Sequence, residues 1–411
     1  LGQHYPILTI YRLDNQQPLL SCEQKTDGTN MSDTTQPDIY EIYRDQRANR
    51  PVFKEPDGAW QVARHKDVQQ VLKDNATYSS DVSLVPEEER TTPSMLFSDP
   101  PVHNRLRKLV SYAFKPGHIE SQRTLIEQRC EDLMQAMKQS NEAELVEALA
   151  APLPVTVIAY MLGVEDGDIR KFKEWSDTIF SNIGEILLAN PSPEASAASE
   201  QMDTYFLGRI AKLREAPRDN LLSRLIATET EDGKLSNEEL LSFCRLLLIA
   251  GNETTAGLLT GIVRVFNDMP DTFQQLKENP ALIPTFVEDT LRVHSPFSVT
   301  IRKTTRDIEV AGVTIPANEM LLPMIACANR DESVFDQPEK FVIDRSPNPH
   351  LAFGFGIHNC LGAHLARLEG QIVAASMIKH MDSIKLQPGS ENEFAQLGGP
   401  SELKVAIEWT R

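Results

Sequence analysis

Cys360 stands in the run Phe353-Gly354-Phe355-Gly356-Ile357-His358-Asn359-Cys360-Leu361-Gly362. A cysteine is a nucleophile or metal ligand only as the thiolate, and the unpaired N–H groups at a helix start favour that anion. A helical pattern, expected over Leu361–His380, begins directly after it. Gly354, Gly356 and Gly362 let the backbone approach something flat and bulky. A thiolate in such an apolar, glycine-lined loop suits a haem iron, to which it donates the electron density that favours O–O cleavage. The sequence has no Cys-x-x-Cys-His, so a haem here is not expected to be covalently attached. Two plainer readings compete: an inert buried cysteine, and a zinc site of His358, Cys360 and His364 that is one ligand short. Gly354-x-Gly356 is not a dinucleotide fingerprint, because its third glycine is misplaced and no strand precedes it.

A second chemical constellation is Ala250-Gly251-Asn252-Glu253-Thr254-Thr255, mid-way along a helical run. Glycine and paired threonines are poor choices for a helix interior. Their hydroxyls compete for backbone carbonyls and are expected to open the helix locally. An acid beside an alcohol makes a proton relay, and splitting dioxygen consumes two protons. The plainer reading is a solvent-facing Glu253 and a Thr254 bonded back to its own helix.

A third set is basic. Asp99-Pro-Pro-Val-His103-Asn-Arg-Leu-Arg107 opens a helix with His103 and Arg107 at i and i+4, on one face. Arg302 lies on a predicted strand after Ser295-Pro296, and His358 is two residues before Cys360. Each alone reads as a solvated surface residue. Converging, they would bind carboxylates, bidentately in the case of arginine.

The elements that must position these groups are mostly helical. Apolar residues recur at helical spacing over 119–138, 143–163, 168–186, 199–214, 236–267 and 280–293, with shorter helices at 38–48 and 66–73. Breaks are expected at Pro191-Ser-Pro193, Pro217 and Pro270. Asp57-Gly58 between extended runs predicts a hairpin, and short strands are expected at 300–303, 308–310, 313–315, 320–322 and 402–409. Residues 330–360 read as a long irregular, functional loop. The fold class expected is mainly α: a single large helical domain with small antiparallel β-sheets, spanning 36–411 after a polar, flexible tail over 1–35.

The chain has 411 residues, with 41 Lys+Arg against 59 Asp+Glu, a formal net charge of −18. That balance argues against a nucleic-acid binder, since neutralising phosphates takes a cationic surplus. With 41% hydrophobic and 24% charged residues, global disorder is excluded. No continuous apolar run reaches the roughly 18 residues of a membrane span, and no secretory signal opens the chain. Five scattered cysteines suggest a reducing cytoplasm.

The pattern Phe-x-x-Gly-x-x-x-Cys-x-Gly, met by Phe353, Gly356, Cys360 and Gly362, resembles the haem-thiolate monooxygenases, the cytochromes P450 of the soluble bacterial class. Pro154-Val-Thr-Val-Ile158, Gly251–Thr255 and Gly356–His358 are most similar to Bacillus-type members that oxidise fatty acids, terpenoids and steroids. The resemblance implies haem b held by Cys360, with Phe353 and Gly354 in its loop and His103, Arg107, Arg302 and His358 on the propionates. It implies that Glu253 and Thr254 deliver protons. It implies a hydrophobic substrate contacted by Phe97, Leu246, Ile249, Ala250, Phe297, Val299 and Leu397, with Leu84, Met95, the segment 179–188 and the turn 396–398 nearby. Electrons would come from a separate ferredoxin or flavodoxin with its NAD(P)H reductase, docked in part by Arg105 and Lys108, since no fused redox domain is expected. The family's helical Glu-x-x-Arg pair is replaced by Asp289-Thr-Leu-Arg292, one methylene shorter, and either Asp289 or Glu288 could partner Arg292, with Arg345 completing the network. Two alternatives share the haem: a peroxide-driven hydroxylase, against which Glu253-Thr254 weighs, and a non-catalytic sensor.

Overall fold

The computed structural model describes residues 39–56, 58–82, 94–182, 191–231, 233–390 and 399–410. The expected tail, Leu84, the acidic run Glu87–Glu89, residues 183–188 and Leu397 lie outside the described residues.

The chain opens with α1 (Ile39–Asn49), a hairpin of β1 (Val52–Lys54) and β2 (Trp60–Val62), α2 (His65–Lys73) and β3 (Tyr78–Ser79). Helices α3 (Val102–Ala113), α4 (Pro116–Glu120) and α5 (Arg123–Met137) follow, then β4 (Glu142–Glu144) and α6 (Pro152–Met161). Next come α7 (Ile169–Ser181), α8 (Pro193–Glu215), α9 (Leu221–Ala227) and a minimal hairpin of β5 (Glu229–Thr230) and β6 (Gly233–Lys234). The longest helix is α10 (Asn237–Asp268), followed by α11 (Pro270–Glu278) and α12 (Ile283–Val293). Strands β7 (Arg302–Thr304), β8 (Ile308–Val310), β9 (Val313–Ile315) and β10 (Met320–Pro323) lead through α13 (Ile325–Ala328) to α14 (Ala363–His380), β11 (Met381–Leu386) and β12 (Lys404–Trp409).

Helix α10 is the axis of the fold. Ser236 and Glu239 cap its start reciprocally: the Ser236 hydroxyl accepts from Glu239 N (3.2 Å) and Ser236 N donates to the Glu239 carboxylate (2.9 Å). Leu240, Leu248, Leu258, Leu259, Ile262, Val263 and Phe266 are buried around its circumference, so most of it must be enclosed by other elements. Helices α6, α7, α12 and α14 pack on it. It is long and apolar enough to cross a membrane, but 67% of its most apolar stretch is buried against the rest of the chain, as in a core helix.

The sheets are small. The largest has the order β1-β2-β10-β7-β3, and a second joins β11-β12-β4. Among the described residues all pairings are antiparallel except β10 with β2, which is parallel with Leu322 opposite Gln61. Strands this distant in sequence are not tied by a hairpin, so either direction is open to them.

Some boundaries depart from the sequence pattern. The helix expected over 143–163 starts only at Pro152; before it come β4 and a π-helical turn, Val146–Ala150. Glu142–Glu144 is captured by β12, a partner about 260 residues away that no local pattern reveals. The break expected at Pro270 is present, since α10 ends at Asp268, and Pro270 then opens α11, as Pro193 opens α8 behind the Ser192 cap. Proline at the first turn forfeits no hydrogen bond.

The irregular stretch before Cys360 is held by a buried ion network centred on Asp289. Asp289 and Arg292 have fully buried side chains, and Arg292 grips both carboxylate oxygens (2.6 and 3.2 Å). Arg345 Nε (2.8 Å), Val342 N (2.6 Å) and Asn348 Nδ2 (3.2 Å) also donate to it. Arg292 spends its remaining donors on the carbonyls of Asn329, Pro338 and Lys340. The shorter aspartate therefore serves, because the loop closes onto it. Glu288 instead faces outward to Arg367 (2.6 and 2.8 Å) and His350 (3.1 Å). Asp289→Ala strands two buried guanidinium groups and is expected to cost about 3–5 kcal/mol, read as a lower denaturant midpoint; an unchanged midpoint would show that the network carries no stability.

Candidate functional site

The Cys360 loop is shaped by its own hydrogen bonds. Cys360 N donates to Phe353 O (2.8 Å), Gly354 N to Leu351 O (2.8 Å) and Asn359 N to Gly356 O (3.1 Å). Gly354 and Gly356 have φ of 68° and 73°, where a Cβ is penalised. At Gly356 a Cβ would also stand 2.6 Å from Leu72 O, so the end of α2 packs directly on the loop. Arg367 stacks over the Phe353 ring at 4.3 Å while paired to Glu288. Helix α14 begins at Ala363, two residues later than the pattern suggested, after a turn at 361–362.

Among the described cysteines, Cys130, Cys244 and Cys327 are buried and Cys360 is exposed. Protein crowds Cys360 from one side, and this desolvation pushes its thiol up. The N–H of Gly362, Arg107, Arg367 and the N–H of Ala363 pull it down without prevailing. The helix start thus assists the thiolate as expected but does not create it alone. Coordination to a metal would, since a ligating thiol is deprotonated outright.

Beside this loop the basic residues converge. His103 is 1% exposed and Arg302 8%, and the rings of His103 and His358 lie 4.2 Å apart. Arg107 Nη2 donates to Asn359 O (2.7 Å), next to Cys360. Arg302 donates to its neighbour Ile301 O (2.7 Å). Burial, then the charges of His103, Arg302 and Arg107, push His358 down to about 3. Burial pushes Arg302 down to about 10, with Asp99 opposing. The Nε2 atoms of His103 and His358 are buried without a hydrogen-bond partner. Buried polar atoms are normally satisfied. Two guanidinium groups and two unsatisfied imidazoles beside an exposed thiol fit a flat ligand that carries two carboxylates and a thiophilic metal, as haem does.

The third constellation lies on α10. Thr254 Oγ1 donates to Ala250 O (2.7 Å), so the hydroxyl does engage a backbone carbonyl. The helix nevertheless continues without interruption, contrary to the expected local opening. Gly251 lets Ile158 of α6 approach; a Cβ there would meet Ile158 Cδ1 at 3.1 Å. Leu246, Ile249, Glu253 and Thr254 are partly exposed and Ala250 is exposed, an open stripe on an otherwise enclosed helix. Burial pushes the Glu253 carboxyl up and Asp177 reinforces it, while Lys173 opposes. Asn252 Nδ2 donates to Ser176 Oγ (2.8 Å), fastening α10 to α7 at this level.

The remaining apolar positions are more scattered. Phe97 is partly exposed. Phe297 packs against the cluster of Val68, Val71, Leu321 and Ile325, and Val299 against Ala59, Ala63 and Leu322. Two expected docking cations are already engaged, Arg105 with Glu239 and Lys108 with Glu231 (2.7 Å). Each of the two thus has an acidic partner within the chain. Sequence reasoning also missed Asp99, Arg367 and the contact of Gly356 with Leu72. The first two had signals, an acid opening a helix and a cation on the helix after the cysteine; the third depends on a non-local approach.

A family model described as Cytochrome P450 matches residues 55–398. This chain belongs to that family. It is similar to the putative cytochrome P450 YjiB of Bacillus subtilis (strain 168), 36% identical, covering 88% of this chain and 92% of the relative. It is likewise similar to the erythromycin C-12 hydroxylase of Saccharopolyspora erythraea, 38% identical over 84% of this chain and 87% of the relative. Among solved structures, that of CYP109E1 from Bacillus megaterium in complex with testosterone has a TM-score of 0.81 and 34% identity, covering 90% of this chain and 99% of that one. The chain is a P450 monooxygenase, mainly α with small sheets, as its sequence led one to expect.

Glu288, which holds Arg367 under the P450 loop, sets an acid limit. Burial alone would raise its pKa, but hydrogen bonds from His350 and Arg367 outweigh burial and bring it to about 2. A pKa depressed on folding adds stability above the unfolded value, lost as pH falls toward the folded one. Stability should decline from about pH 5 to pH 2, and Glu288→Gln should flatten that slope in denaturation curves taken across the range; an identical slope would exclude Glu288 as its source.

Proposed function

We propose that this P450 inserts one oxygen atom of O2 into a C–H bond of a hydrophobic organic molecule, using haem b and electrons from a separate ferredoxin or flavodoxin with its NAD(P)H reductase. The observation that carries the reading is the exposed Cys360 thiol beside a partly buried basic cluster in which the Nε2 atoms of His103 and His358 have no hydrogen-bond partner. Cys360 would hold the haem iron, His103, Arg107, Arg302 and His358 would hold its carboxylates, and Phe353 and Gly354 shape the loop around the sulfur. When bound, the haem supplies the activation of dioxygen.

The chain supplies proton management and position. Glu253, whose carboxyl burial pushes up, takes up a proton at its carboxylate. Thr254 Oγ1 can pass it on by turning from Ala250 O toward the reacting oxygen. The stripe Leu246, Ile249 and Ala250, with Phe97, Phe297, Val299 and Leu397, orients an apolar substrate and excludes water. Relatives named for erythromycin and crystallised with testosterone support a bulky fatty, terpenoid, steroid or polyketide substrate. The free thiols among the described cysteines support a reducing, cytoplasmic setting.

Cys360→Ala is expected to lose the red-shifted absorption that carbon monoxide produces in reduced thiolate-ligated haem, and all product with it. Retention of both would refute the ligand assignment. Turnover of a native preparation with hydrogen peroxide but not with redox partners would overturn the electron source. Thr254→Ala should keep its haem yet form about tenfold less product per NAD(P)H, with the difference appearing as hydrogen peroxide. Unchanged coupling would remove Thr254 from the proton path.

A further inference from the structure

The basic cluster is assembled from segments far apart in sequence: α3 carries His103 and Arg107, and β7 carries Arg302. Something must fix the distance between them, because like charges repel and neither helix nor strand touches the other through regular hydrogen bonds. One residue spans the gap. The Asp99 carboxylate accepts from the Ser79 hydroxyl through Oδ2 and from Ser80 N through Oδ1 (3.0 Å). The Ser79 hydroxyl in turn accepts from Asp81 N (2.9 Å). The Asp99 carbonyl oxygen accepts from His103 N (3.0 Å), at the start of α3. On its other side Ser79 pairs with Lys303 in the ladder of β3 with β7, one residue from Arg302. The path therefore runs Arg302, Lys303, Ser79, Asp99, His103, without a gap. Asp99 also lies within electrostatic reach of both His103 and Arg302, which offsets part of their repulsion.

We propose that Asp99 is a positioning residue for the cofactor's carboxylates: by clamping β3 to the start of α3 it fixes His103 and Arg107 against Arg302 at the separation that two propionates of one haem require. The inference rests on the reading of the basic cluster given above. Asp99 touches neither ligand nor reacting atoms, and acts through hydrogen bonds to Ser79 and Ser80.

The test is the rate at which holoprotein gives up haem to excess apomyoglobin, with the Soret circular dichroism of the holoprotein as a second readout of haem orientation. Asp99→Ala should release haem about tenfold faster and alter the Soret dichroism. Asp99→Asn keeps an acceptor for Ser80 N and a polar contact for Ser79, and should come within about threefold of the parent. Ser79→Ala, which removes from outside the cluster the hydroxyl that bonds Asp99 and Asp81 N, should fall between them and guards against a poorly folded Asp99→Ala. Arg302→Ala is the reference. If it accelerates release while Asp99→Ala and Ser79→Ala do not, the positioning role is overturned. If Arg302→Ala and Arg107→Ala are themselves without effect, the cluster does not hold propionates and the underlying reading falls instead. Failure of Asp99→Asn to recover retention would overturn positioning by hydrogen bonds.

Discussion

Positive charge gathered away from water, with too little negative charge of the chain's own beside it, is the constraint on which the rest of this structure depends. Burying a cation is expensive unless it is paired. The fold meets that cost in two different ways. Around Asp289 the chain supplies every partner itself: Arg292 and Arg345 share one carboxylate, and backbone carbonyls take the remaining donors. Around His358 it does not. There two imidazole nitrogens are left unsatisfied, and burial, reinforced by neighbouring cations, pushes His103 and His358 down. The first network is a closed internal account of charge and serves architecture. The second is left open.

The two networks are mechanically joined. Asp289 closes the irregular segment on Val342, Arg345 and Asn348, a few residues before the cysteine loop. Glu288, its neighbour, faces the other way to Arg367, which stacks on Phe353 within that loop. Adjacent residues on one turn of α12 thus brace the loop from two directions. Helix α2 presses on it from a third at Gly356. The loop that carries the sulfur is thus held by contacts of the chain's own.

How much of this was legible in the sequence depended on the range of the interaction. The long core helix showed itself through periodicity, and the hairpins at β1–β2 and β8–β9 through turn chemistry, because both signals are local. The cysteine loop and the acid–alcohol pair could be found from residue type and spacing alone. The choice between Asp289 and Glu288 could not, since it turned on which face of α12 the loop closes over. The strand at Glu142–Glu144 was hidden for the same reason: its partner is β12, at the other end of the chain. The engaged state of Arg105 and Lys108 was equally invisible, because Glu239 and Glu231 reach them only after α10 and the hairpin before it have packed.

The parallel pairing of β2 with β10 carries a consequence for biosynthesis. Trp60 finds its partner Leu321 only after some 260 further residues have been joined to the chain. A ribosome emits residues at a finite pace, so the early hairpin must wait many seconds with one edge uncovered. Such an edge is a template for the wrong neighbour. High topological separation of this kind makes the last-made strands, not the first, the step that commits the nascent polypeptide.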